Sequence, residues 1–246
     1  MPPMIYLLLI LATLLTSLIS GVLSMAGGMI LMGVFGFFLP VPAAMVLHGV
    51  AQAFSNGSRM WLYREHIHYG VLGPYFAGAV IVLAAFIGFS IVPNKGVMFL
   101  LVGLLPLLAI LMPPSLHLRV ERKPVAFVCG ILVTAAQMLA GASGPILNVF
   151  YINSDLNRYE VLATKAVTQT LGHVIKLIYY AFFVTLAVQL PAWFYPAIIA
   201  AAIGGNWVAG FIVERMQDDQ FRSIGRYVVA GIALVYIGKG VYEFIG

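Results

Sequence analysis

Charge is what this sequence has least of. Only 9% of its 246 residues are Asp, Glu, Lys or Arg, where a soluble domain carries about a quarter. A water-soluble globule of this length would lack the polar side chains to cover its surface. With 62% hydrophobic residues, the chain is also far outside the composition of disordered segments. The single cysteine, Cys129, excludes an internal disulfide, and no Cys/His spacing of a metal site is present. The 13 basic residues are scattered singly or in small groups, so no patch tracks a phosphate backbone and nucleic-acid binding is excluded. Sustained apolar–polar alternation is missing, which rules against a membrane barrel. The N-terminal run lacks a basic leader region and a processing site, so it does not read as a signal peptide. What remains is a helical chain that lives almost wholly inside a bilayer.

Apolar runs between breakers fall at 5–23, a short 29–39, then 43–63, 72–92 and 96–112. A polar link at 113–123 follows. The second series runs 124–139, a short 145–152, then 160–188, 193–213 and 221–244. Each half is one interrupted segment followed by three complete ones, which suggests an internal duplication. At an offset of 117, Gly27 meets Gly144, Val50 meets Val167, Gln52 meets Gln169 and Tyr63 meets Tyr180. Arg59 then meets Lys176 and His48 meets Lys165. At an offset of 122, Pro74 meets Pro196 and Gly88 meets Gly210.

Topology follows from the excess of Lys and Arg on cytoplasmic loops. If each interrupted segment enters and returns as a hairpin, the stretches 59–64, 119–123 and 215–226, with Arg158, fall on one side. That side then holds nine of the thirteen basic residues. Both termini lie outside, and three crossings per half make the halves inverted. The expected fold is an all-α polytopic membrane protein of two inverted repeats, each a re-entrant helical hairpin plus three transmembrane helices. The repeats are residues 1–112 and 124–246, joined by a cytoplasmic link at 113–123, in one integrated membrane domain. Inverted repeats with broken helices are a layout of secondary transporters.

Two features carry chemistry. The first is the pair of interruptions, one around Ser24, Gly27 and Gly28, the other around Ser143 and Gly144 before Pro145. Small residues let the backbone leave the helix and approach a ligand, and Pro suits the first turn of a new helix. Short helices are expected to begin near Gly28 and Pro145, with N-termini at membrane depth that offer free N–H groups to an anion. The alternative is that these glycines are close helix–helix contacts. The second feature is a polar stripe. His48, Gln52, Asn56 and Arg59 are spaced 4, 4 and 3, which puts them on one helical face. Lys165, Gln169, His173 and Lys176 repeat that spacing. Interhelical hydrogen bonding and snorkelling account for single residues of this kind, and two matching stripes point to a cavity.

The eight acids all fall in links or at segment ends. Embedded Lys and His with no carboxylate between them call for an anion; a cation carrier or carboxylate proton relay needs an acid at that depth. His66 and His68 read as an interfacial polar cluster, with metal ligation the alternative, and Cys129 as packing. No cofactor is expected. The partners expected are a small anionic substrate and the lipid bilayer, with a homodimer left open.

The residues carrying the breaks also resemble a known family. Gly21, Ser24, Ala26, Gly27 and Gly28, and then Gly141, Ser143, Gly144 and Pro145, look like the two glycine-rich stretches of the sulfite exporter TauE/SafE family, also called the toluene-sulfonate uptake permease family. Ser24, Ala26 and Ser143 stand where that pattern has glycines. The resemblance implies a bacterial inner-membrane secondary transporter, acting as an exporter of sulfite, sulfonates or related organosulfur anions around a midplane site. An anion channel, or an importer of other small organic anions, on the same scaffold is the alternative. No paired acid, metal cluster or nucleophile–base arrangement speaks for an enzyme.

Overall fold

A computed structural model describes residues 1–23, 26–112, 118–186, 188–213 and 218–245, with side chains described there except at 22–23, 212–213 and 218–229. These residues form ten α-helices and one 3-10 turn, Arg64–His66. The helices are α1 (Pro3–Leu23), α2 (Ala26–Phe38), α3 (Val41–Leu62), α4 (Tyr69–Phe89) and α5 (Lys95–Leu111), then α6 (Lys123–Ala140), α7 (Gly144–Tyr151), α8 (Arg158–Phe182), α9 (Phe194–Val213) and α10 (Asp218–Ile245). No strand occurs among the described residues.

Local chemistry sets the helix ends. Asn94 caps α5 by accepting from the Val97 N–H at 2.8 Å. Asn157 and Glu160 form a reciprocal capping box that opens α8, satisfying donors that the helix itself cannot. Gly141 ends α6 at φ 78°, a left-handed conformation that favours glycine. The apolar run at 160–188 suggests a longer α8 than is present. The helix stops at Phe182, six residues past Lys176, because apolar character alone does not separate helix from packed loop. Val184 and Leu186 leave the helix yet still pack on the core.

Beside an apolar core between the helices, polar side chains are buried and large apolar ones are exposed. His48, Gln52, Asn56, Arg59, Lys165, Gln169, His173 and Lys176 are all buried. Leu11, Leu15, Phe76, Ile81, Leu108 and Trp207 point outward. That inversion makes sense only if the surroundings are hydrocarbon. Four helices are long and apolar enough to cross a membrane by length and composition: Pro3–Gly21, Tyr69–Phe89, Lys123–Ala140 and Phe194–Phe211.

At the centre α3 packs along α8, and around them α1 lies on α9, α4 on α6 and α5 on α10. Hydrocarbon supplies no hydrophobic force between helices, so close packing has to hold them. Small residues make it close. A Cβ at Gly130 on α6 would collide with the Tyr75 carbonyl of α4, and one at Gly205 on α9 with the Leu14 carbonyl of α1. Gly88, in contrast, faces open space. Gly130→Ala and Gly205→Ala are therefore expected to cost about 1–3 kcal/mol of stability, seen as a melting temperature several degrees lower in detergent. Gly88→Ala should leave it unchanged or slightly higher. Equal effects at all three positions would contradict this packing.

Candidate functional site

The two helix breaks meet at the α3–α8 interface. At the second break the chain leaves α6 through Gly141, whose N–H donates to the Gln137 carbonyl at 3.0 Å. It passes Ala142 and Ser143 and starts α7 at Gly144–Pro145. The Ser143 hydroxyl donates to Gln137 Oε1 at 3.0 Å. The Tyr180 hydroxyl donates to the Met138 carbonyl at 2.7 Å, occupying an acceptor that the helix end leaves free. At the first break α2 starts at Ala26. A Cβ on Gly27 would collide with the Thr16 carbonyl of α1, so this break is pinned from behind.

A single hydrogen-bonded chain joins the two breaks. Lys176 Nζ donates to the Gly141 carbonyl at 2.9 Å and to His48 Nδ1 at 2.8 Å. An ammonium only donates, so Nδ1 accepts, and the His48 Nε2–H donates to the Gly28 carbonyl at 2.7 Å. His48 is thereby assigned as the neutral Nε2–H tautomer. Gly49, beside His48, lets α8 come close, since a Cβ there would press on Leu177, the neighbour of Lys176.

Next to this chain lies a small polar cavity of about 20 Å³. Its walls are Ser20, Gly28, Met29, His48, Gln52, Ala142, Ser143, Gly144, Gln169 and His173. The volume suits about one water, and a sulfite-sized ion, with four heavy atoms, requires the walls to part. Two buried wall atoms have no hydrogen-bond partner, Gln52 Nε2 and His173 Nδ1. Polar atoms left unmade in a low-dielectric interior are costly, so a lining of this kind favours a polar guest.

Among the residues whose side chains are described, the buried charge is all positive. Lys176 is 0% exposed, Lys165 5% and Arg59 7%. Lys165 Nζ donates to Asn148 Oδ1 at 3.0 Å, and Arg59 donates to Asn206 Oδ1 at 3.0 Å. These partners, like those of Lys176, are neutral. The carboxylates whose side chains are described lie elsewhere. Asp155 pairs with Arg119 on the surface at 2.7 Å, Glu243 pairs with Lys239, and Glu160 serves the α8 cap.

Of the residues singled out from sequence, Gly28, His48, Gln52, Ser143, Gly144, Gln169 and His173 line the cavity. Lys176 sits behind His48, and Gly27 packs on α1. Asn56 bonds back to the Gln52 carbonyl at 2.9 Å, and Lys165 is held by Asn148. Neither is among the cavity walls. Ser24 lies outside the described residues. Ser20 and Asn206 were missed. Ser20 is the repeat mate of Gln137 at the offset of 117, and Asn206 interrupts an otherwise apolar run. Both signals were present in the sequence.

Comparison with known proteins adds an independent line. The family model described as Sulfite exporter TauE/SafE matches residues 9–236. No curated protein and no solved structure matches the chain. With nearly its whole length covered, the chain belongs to the TauE/SafE sulfite exporter family, and it is a multi-pass membrane protein of a transporter family.

The bridge generates a direct test. His48→Ala and Lys176→Met remove partners of the same hydrogen bond, so their effects on unfolding in mixed micelles are expected to be non-additive by about 1–3 kcal/mol. Additive losses would mean that the two side chains do not act together.

Proposed function

We propose that this TauE/SafE-family chain is a secondary transporter, working as an exporter, of small sulfur-containing anions such as sulfite and sulfonates. The observation that carries this is the polar cavity between two helix breaks, with Lys176 behind its His48 wall and Lys165 and Arg59 further along the same interface, all with neutral described partners. Unneutralised charge at that depth is costly, and an anion is the guest that relieves it. The substrate oxygens sit against Ser143 and the backbone around Gly28 and Gly144. The amides of Gln52 and Gln169 orient them, and His48, His173 and Lys176 supply polarity and charge.

The path is built from two inverted repeats, residues 1–112 and 124–246, joined by the cytoplasmic link 113–123. Support comes from the packing. Exchanging α1–α5 with α6–α10 turns α1 on α9 into α6 on α4, α1 on α2 into α6 on α7, and α3 on α9 into α8 on α4, all of which occur. The pairs α3–α8 and α5–α10 map onto themselves. With 13 and 8 residues, α2 and α7 are about 20 and 12 Å long, too short for a hydrocarbon core of about 30 Å. Each returns part-way, giving three crossings per repeat and both termini outside a bacterial inner membrane. Rocking one repeat against the other widens the cavity toward one side at a time.

In proteoliposomes of the purified protein, uptake of labelled sulfite is expected to saturate and to accelerate when unlabelled sulfite is loaded inside. Gln52→Leu and Gln169→Leu each lower that uptake about tenfold. Flux without saturation or counterflow would instead make the protein a channel. No flux of sulfite or of any sulfonate tested would sink the proposal.

A further inference from the structure

A second cationic pair lies along the same helix interface, away from the cavity. Arg59 is eleven residues beyond His48 on α3, and Lys165 is eleven residues before Lys176 on α8. Eleven residues are three helical turns, so each side chain returns to the face carrying its predecessor, about 16 Å further along. His48 and Lys176 touch, and α3 packs along α8. With the two helices antiparallel, Arg59 and Lys165 come to the same level at the other end of the interface. Contacts on either side fix that level: Gly57 faces Thr170, and the His68 N–H donates to Thr164 Oγ1 at 3.0 Å. The rungs between the two pairs are Gln52 and Asn56 on α3, with Gln169 and His173 on α8.

Both side chains are steadied from outside by a neutral amide oxygen. Asn206 of α9 accepts from Arg59, and its own Nδ2 is fixed by donating to Ser58 Oγ at 2.9 Å. Asn148 of α7 accepts from Lys165. A guanidinium has five N–H donors and an ammonium three. Among the described residues each of these groups makes one hydrogen bond, although both are more than nine-tenths buried. Two like charges held at one level, with donors to spare, are complementary to an oxyanion.

We propose that Arg59 and Lys165 together form a second anion site, a staging position at the Arg59 end of the α3–α8 interface from which an oxyanion passes to the cavity. This rests on the transport reading of the cavity. The fork of Arg59 takes two oxygens of one ion, Lys165 takes the third, and the Gln/Asn rungs guide the ion inward. Loading from that end of the protein therefore depends on Arg59, whereas loading from the opposite end does not.

The test uses the full-length protein and two readouts. In crystals soaked in selenite, the anomalous map of the wild type is expected to show one peak in the cavity and one between the Arg59 guanidinium and the Lys165 ammonium. A cavity peak alone overturns the second site and leaves the transport reading standing; no peak at either place overturns both. In equilibrium binding of labelled sulfite, the wild type is expected to hold two ions. Arg59→Gln weakens the second about tenfold or more, while Arg59→Lys, which keeps the charge and loses the fork, restores it only in part. One ion bound by the wild type, or two bound equally well by Arg59→Gln, counts against the proposal. Should Arg59→Gln fail to fold, Lys165→Met removes the other half of the pair and is read in the same way.

Discussion

A lysine ammonium with no counter-charge, buried at the meeting point of two broken helices, constrains everything around it. Lys176 satisfies itself with a backbone carbonyl of one break and an imidazole nitrogen, and the imidazole in turn holds a backbone carbonyl of the other break. In hydrocarbon an unsatisfied carbonyl costs several kcal/mol. Lys176 therefore occupies the Gly141 carbonyl that the end of α6 exposes, and His48 ties that end to the first turn of α2 at Gly28. The same arrangement leaves a positive charge beside a cavity, and in the proposed function that charge sets the sign of the guest. A neutral clasp would close the backbone account equally well and would not select an anion.

The cavity holds about one water, and that size has a consequence. A site this narrow at the α3–α8 seam, in the proposed function, is what a carrier needs in order to avoid a continuous pore. The helices that wall it, α3 and α8, are the ones whose polar faces meet, while α1 on α9 and α4 on α6 are zipped by glycines that admit backbone contact. In the rocking motion proposed above, the glycine-packed outer pairs keep their shape and the polar central seam is the part that opens.

Much of the helical layout was legible in the sequence, because its causes are local. Long apolar runs gave the helices, and small residues gave the breaks, with α2 starting at Ala26 and α7 at Gly144. The spacing of 4, 4 and 3 placed His48, Gln52, Asn56 and Arg59 on one face, and the structure buries that face against α8. Depth and pairing were not legible. Periodicity says which residues share a face, not how far two helices slide past one another, so nothing in the spacing paired His48 with Lys176. The end of α8 at Phe182 was missed for a related reason: Val184 and Leu186 stay apolar because they pack on the core after the helix has ended. Ser20 was missed because it is one of several small polar residues on α1, with Thr13, Thr16 and Ser17, and Asn206 because it stands alone on α9; each takes its meaning from neighbours on other helices.

The central claim is that the charge on Lys176, and not merely the shape of the cavity, makes this an anion site. Titrating purified protein with sulfite by calorimetry, wild type beside Lys176→Met, tests it most directly. The account predicts saturable binding to the wild type and an affinity about tenfold or more weaker in the variant, the loss of one buried charge-assisted contact. Equal affinities in two equally folded proteins would contradict it.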